Sequence, residues 1–175
     1  MNIIVETDRL ILREFCISDA KDFFTLNSDP EVLKYTGDLP FLSIKNAELF
    51  LKNYKEYKKN GFGRWAVLLK NTNQFIGWCG LKLNEENLID IGFRFFKDHW
   101  SKGYATESAI ASLKYGFYQL HLQEIIGRVD GENKASIRVL EKLGMKFWKK
   151  DPCNGIQNSS YYKIHKSDFQ NINYK

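Results

Sequence analysis

At 175 residues, with 43% hydrophobic and 27% charged side chains, the chain can bury one core of ordinary size, and its 13 Phe and 9 Tyr exclude a disordered, aromatic-poor polymer. A net charge of +5, with Lys-rich spots only at 55–59 and 146–150, favours anionic ligands in general and does not by itself indicate nucleic acid. Cys16, Cys79 and Cys153 are odd in number and widely spaced, which excludes both a disulfide framework and a C-x-x-C metal or redox motif and fits a reducing cytoplasm.

In chain order, the segment Met1-Asn2-Ile3-Ile4-Val5-Glu6-Thr7-Asp8-Arg9 lacks the basic, apolar and small-residue regions of a signal peptide, and no later stretch approaches a membrane span. Leu10 to Arg13 reads as a first strand. Ser18-Asp19-Ala20-Lys21 opens a helix that Asp29-Pro30 interrupts, and Ser43 starts a longer one through about Lys58, stopped by Asn60-Gly61. From Arg64 the period changes from helical to alternating. Trp65–Leu69, Phe75–Leu81 and Ile89–Phe96 predict an antiparallel meander with turns at 71–73 and 84–87. A helix from Tyr104 to Tyr118, a strand from Glu124 to Val129, a helix from Ala135 to Leu143 and strands at Met145–Trp148 and Ser160–His165 follow, an order that implies locally parallel pairing. The whole reads as one mixed α/β domain over residues 1–175.

The most informative stretch passes from strand Ile89–Phe96 through Lys97-Asp98-His99-Trp100 into Ser101-Lys102-Gly103-Tyr104-Ala105-Thr106 and on into a helix whose apolar face is Ala105, Ala109, Leu113 and Phe117. A strand ending in a glycine-containing loop and then a helix offers unpaired N–H groups and the positive end of the helix dipole to an anion such as a phosphate. A tight turn is the alternative reading of Lys102-Gly103. No G-x-x-x-x-G-K-[ST] is present, and Gly61-Phe62-Gly63-Arg64-Trp65-Ala66 precedes a strand where a dinucleotide fingerprint would follow one.

Four ordered motifs resemble the GNAT acetyltransferase superfamily: Thr7–Arg13, Ile76-Gly77, Ile91-Gly92-Phe93 with Trp100–Glu107, and Asn133–Met145. The resemblance is closest to the branch that includes the ribosomal-protein N-terminal alanine acetyltransferases. It implies a central, mostly antiparallel sheet flanked by helices and splayed at a cofactor cleft between Ile89–Phe96 and Glu124–Val129. It further implies acetyl-CoA as co-substrate, while the residue spacing itself predicts no metal. Backbone groups from Phe93 to Phe95 would then bind the pantetheine arm, Ser101, Lys102, Gly103, Tyr104, Ala105 and Thr106 the pyrophosphate, and Asn133 and Ser136 the arm from the opposite side. Many members of the superfamily carry a tyrosine acid at the position of Leu140, which leucine cannot replace.

Direct transfer of an acetyl group from thioester to amine needs a neutral amine, a donor for the developing oxyanion and a proton for the thiolate. Asp90 shares a strand face with Gly92 and Arg94, so it is a candidate proton acceptor, with an ion pair to Arg94 or a lysine as the alternative. Ser136 is the candidate proton donor, and an N-cap accounts for Asn133 equally well. Glu107 complements the helix dipole without catalysis. Cys16 and Cys79 gain nothing from being cysteines and read as buried small hydrophobes. His99, His121 and His165 have no metal-ligand spacing. The acceptor, a primary amine of a protein N-terminus, amino acid, polyamine or drug, would be gripped by residues 27–35, Phe41-Leu42 and Lys150-Asp151-Pro152-Cys153-Asn154-Gly155. A non-catalytic acyl-CoA-binding module is the competing reading. Monomer and homodimer both fit the sequence.

Overall fold

A computed structural model of the chain describes residues 2–153 and 155–172. Its eight strands are β1 (Ile3–Glu6), β2 (Leu10–Arg13), β3 (Arg64–Leu69), β4 (Phe75–Leu83), β5 (Ile89–Phe95), β6 (Glu124–Asp130), β7 (Lys146–Lys150) and β8 (Ser159–His165). They form one mixed sheet in the order β1-β2-β3-β4-β5-β6-β8-β7. Antiparallel pairing from β1 to β5 contains the expected meander, and β5 then meets β6 in parallel. β1 falls where the sequence predicts no element: its Ile-Ile-Val run pairs with β2 across the turn at Thr7 to Arg9.

Parallel pairing does not continue beyond β6, which corrects the expectation for the C-terminal third. β8 is antiparallel to both β6 and β7 and lies between them. The physical reason is burial. Tyr161, Tyr162 and Ile164 of β8 are nearly inaccessible, whereas four of the five residues of Lys146–Lys150 are exposed, so the apolar strand takes the interior place and the basic one the edge.

Helices α1 (Ala20–Leu26), α2 (Pro30–Leu33), α3 (Ile44–Lys52) and α4 (Glu56–Asn60) precede β3, α5 (Tyr104–Lys114) follows β5, and α6 (Lys134–Lys142) and α7 (Lys166–Gln170) follow β6 and β8. Pro30 does not merely end a helix; it occupies the first turn of α2, with the Asp29 carboxylate accepting from the Glu31 amide. The single helix expected over 43–58 is two, broken at Asn53 to Lys55, because Tyr54 and Tyr57 must both reach the backbone of Arg64. The Tyr54 hydroxyl accepts from the Arg64 N–H at 2.7 Å, and the Tyr57 hydroxyl donates to the Arg64 carbonyl. The helix expected to reach Tyr118 is α-helical to Lys114 and closes with a π-helical turn over Tyr115–Gln119.

Strand alternation divides the apolar residues between two cores. Trp65, Val67, Cys79, Leu81, Ile91 and Phe95 face α5, where Ala109, Leu113 and Phe117 are fully buried. Ala66, Leu68 and Phe75 face α1 and α3, packing with Phe23, Leu26, Ala47 and Leu51. Cys79 is the buried small hydrophobe expected; Cys16 is only half-buried, its Sγ 3.0 Å from the Ser18 hydroxyl just ahead of α1.

Candidate active site

β5 and β6 pair only at Asp90 with Ile126 and Ile91 with Gly127, and then diverge. Along β4–β5 the Phe96 amide donates to the Ile76 carbonyl, so the ladder turns the amides of Arg94, Gly92 and Asp90 toward β4. The same alternation turns the backbone groups of Phe93 and Phe95 to the open side. The Phe95 carbonyl there accepts from the Trp100 indole N–H at 2.8 Å, tying the following loop back to the strand. The Phe93 N–H and carbonyl and the Phe95 N–H are left facing the gap.

That gap belongs to a cleft of about 500 Å³, a size suited to a small-molecule site. One wall comes from Val129, Asp130, Asn133, Ser136 and Leu140, the middle from Ile91 to Arg94, and the far end from aromatic residues of α1, α3 and the loop after α2. Asn133 is the N-cap of α6, its Oδ1 accepting from the Ser136 amide at 3.0 Å, and it lines the cleft as well. Leu140 is buried against β6, where a Cβ on Gly127 would come within 2.8 Å of its methyl group. A leucine suits that close helix–strand contact, and it offers no proton to the cleft it lines.

The loop after β5 carries Ser101 and Gly103 in the left-handed region, at φ of 58° and 82°, and Gly103 is the N-cap of α5. Glu107 is the first residue to donate back into the helix, to the Gly103 carbonyl, so the amides of Tyr104, Ala105 and Thr106 precede the ladder and point out of its positive end. Ser101, Lys102 and Gly103 are exposed, and Tyr104 to Thr106 half-buried. The N-terminal motif braces this turn. Arg9 donates to the Lys102 carbonyl at 3.0 Å and to Glu107 at 2.7 and 2.6 Å, while the Thr7 hydroxyl donates to Glu107 at 2.6 Å. Glu107 therefore does more than complement a dipole: it joins the first hairpin to the loop.

Asp90 is buried at the cleft floor, between guanidinium groups not recognised from sequence. Its Oδ1 accepts from Arg64 at 2.8 Å and its Oδ2 from Arg128 at 3.2 Å. This corrects the partner expected for Asp90. It is not Arg94, which reaches Asn27 and Asp38 instead, and both Asp90 carboxylate oxygens are already engaged by guanidinium groups. Arg64 lies across Gly80 and Gly92: it donates to the Gly80 carbonyl, and a Cβ on Gly92 would come within 2.7 Å of its Cζ. Burial alone would lower the pKa of Arg128, but Asp90 and Glu85 hold it above the ordinary value. Burial pushes the Tyr54 phenol up to about 12, so it stays protonated at neutral pH.

Of the segments expected to grip an acceptor, Asn27, Tyr35 and Phe41 line the cleft and Leu42 stands exposed outside it; from the late loop Cys153 lines the cleft, and Asn154 lies outside the described residues. Trp78, Arg64, Tyr54 and Phe15 also line it and were not foreseen. The sequence signal for this floor is the pair Gly80 and Gly92, opposite each other on β4 and β5, where the missing side chains leave room for Arg64.

The family model of the acetyltransferase (GNAT) domain matches residues 9–146. The chain belongs to the GNAT acetyltransferase family. It is an N-acetyltransferase, similar to an uncharacterized N-acetyltransferase, p20, of Bacillus licheniformis, with 34% identity over 140 residues, 78% of this chain and 79% of that protein. Among solved structures, a GNAT-family acetyltransferase from Bacillus anthracis is 32% identical with a TM-score of 0.77, covering 95% of this chain and 99% of that one. The GNAT fold is shared more distantly with the spermidine N-acetyltransferase of Vibrio cholerae, solved in complex with CoA and spermine, at 22% identity and a TM-score of 0.78 over 94% and 100% of the two chains. Among the described residues, no helix is long and apolar enough to cross a membrane.

Proposed function

We propose that this acetyltransferase uses acetyl-CoA and passes the acetyl group directly to a primary amine in the cleft between β5 and β6. The observation that carries the proposal is the divergence of those strands after two paired positions, with the Phe93 and Phe95 backbone groups turned into the gap and Asn133 and Ser136 on the facing wall. An extended amide-bearing arm fits such a gap as an added strand fits a sheet edge. The braced turn from Ser101 to Thr106 suits the pyrophosphate, since its free amides and dipole favour anions. That the Vibrio cholerae relative in fold was solved with CoA supports the same assignment.

In this reading the Phe93 groups orient the pantetheine amide and the Phe95 N–H donates to the thioester oxygen as negative charge gathers on it. The amine nitrogen bonds to the acetyl carbon, the carbon–sulfur bond breaks, and Ser136 protonates the departing thiolate. The proton lost by the amine returns through water to Ser136. Asp90 fixes Arg64 and Arg128 at the floor as a positioning residue. The resemblance to the ribosomal-protein branch bears on the cofactor side of the cleft and leaves the acceptor to be read from the other end.

Following free-thiol release from acetyl-CoA tests the assignment. Ser136→Ala should lower kcat about a hundredfold, the range of a lost general acid, and leave the KM for acetyl-CoA nearly unchanged. An unchanged kcat would remove Ser136 from the chemistry, and absence of acetyl-CoA binding to the wild type would overturn the proposal.

A further inference from the structure

The far end of the cleft is walled by rings. Phe15 stands edge-on to Phe23 and Tyr54, at centroid distances of 5.2 and 5.4 Å, and Phe23 stacks on Phe50 at 5.4 Å. Phe41 closes the group edge-on to Phe50 at 5.7 Å. Phe50 is 43% exposed, and Leu39, which lines the same cleft, is 90% exposed. Trp78 forms the floor, its ring flanked by the guanidinium carbons of Arg64 and Arg94 at 5.6 and 5.2 Å.

Two of the three carboxylates facing this chamber are already paired with guanidinium groups. Asp38 holds Arg94 at 2.5 Å, Asp90 is shared by Arg64 and Arg128, and Asp130 accepts from the Glu132 amide at 2.8 Å. Among the described residues that line the cleft, four cations, Arg64, Lys82, Arg94 and Arg128, therefore stand with three carboxylates, of which Asp130 alone has no cationic partner. A polyamine would bring two or more further cations into this net-positive field with Asp130 alone to receive them. A single amine close to a flat apolar group meets no such obstacle: it can lose its proton to attack while the ring packs against Phe50, Phe41 and Trp78.

From this arrangement we infer that the acceptor is a monoamine carried within a few carbons of an aromatic ring. The inference rests on the transferase reading above and deepens it at the acceptor end. Either a free amine or the N-terminal phenylalanine of a peptide presents this chemistry.

The test compares 2-phenylethylamine, a tripeptide beginning with Phe, propylamine and spermidine as acceptors by thiol release, with saturation-transfer NMR of 2-phenylethylamine on the CoA-loaded protein. The expected result is a kcat/KM for the better aromatic amine at least about tenfold above propylamine and spermidine. The free amine leading identifies a small-molecule acceptor, and the tripeptide leading a chain terminus. Spermidine or propylamine matching both aromatic amines would overturn the inference and leave the transferase reading standing. Binding of 2-phenylethylamine without thiol release would uphold the chamber and strike the transfer reading instead; neither binding nor turnover with either aromatic acceptor would overturn the inference. Phe50→Ala, at a half-exposed site, should raise the KM for the preferred aromatic amine about tenfold with the Kd for acetyl-CoA unaltered; an unmoved KM counts against the chamber.

Discussion

Glu107 shows how one side chain ties a distant motif to the binding loop. Burial pushes its carboxyl up, but hydrogen bonds from the Thr7 hydroxyl, the Arg9 side chain and the Arg9 amide outweigh that and hold it below the ordinary 4.5. A carboxyl whose folded pKa is depressed adds stability above its unfolded value and loses it as pH falls through the folded value. The brace is therefore complete at neutral pH and weakens below about 4.5. Glu107→Gln keeps the shape and removes the charge, so wild type should be the more stable at pH 7 and the difference should shrink as pH falls to 3.5. Thermal unfolding of both proteins across that range checks it; a gap of equal size at both ends would mean that the ionised form contributes nothing. Arg9 acts in the same unit, since its guanidinium also lies 4.6 Å over the Tyr104 ring and so holds the first helical turn from outside.

At the scale of elements, the site depends on how closely β4 approaches its neighbours. β4 bulges at Ile76, where Val67 pairs with Gly77 but Leu68 with Phe75. A Cβ on Gly77 would sit 2.2 Å from the Arg94 carbonyl oxygen and 2.8 Å from the Phe95 Cα, both backbone atoms of β5. Gly77→Ala must part the two strands, at a cost of about 3 kcal/mol, which lowers the thermal midpoint by roughly 6–12 °C. Gly61→Ala is the contrast: φ is 78° and no atom lies within 4 Å of the added carbon, so only the backbone penalty of about 1 kcal/mol applies. Equal midpoint shifts in the two variants would show that β5 yields to the methyl. Such approaches explain what the sequence reveals and what it hides. The meander, α5 and the Ser101–Thr106 turn announce themselves through period and glycine placement. The break at Asn53 to Lys55 does not, because its cause is a pair of phenols reaching Arg64, ten and seven residues further along. Arg64, Arg128 and Trp78 were hidden for the same reason: strand register brings them to one floor, and register depends on contacts across the sheet.

For the molecule as a whole, the sheet is joined across its middle by two paired positions, Asp90 with Ile126 and Ile91 with Gly127. Elsewhere the join is apolar: the π-helical turn brings Gly116 so close that a Cβ there would lie 2.8 Å from methyl groups of both Leu81 and Ile125, one from each side of the divide. The core beneath therefore holds the halves together while the ladder above stays open, and a ligand lying in the opening supplies the missing pairing. At a hundred times its Kd a ligand specific for the folded state adds about 2.7 kcal/mol, so CoA should raise the thermal midpoint by roughly 5–10 °C. A shift alone would not place the ligand. Hydrogen exchange does, because the amides of Phe93 and Phe95 face the opening and those of Gly92 and Arg94 are already bonded to β4. Saturating CoA should slow exchange at Phe93 and Phe95 far more than at Gly92 and Arg94. A midpoint shift without that selective protection would mean that CoA binds elsewhere and that the parting of β5 and β6 is not its seat.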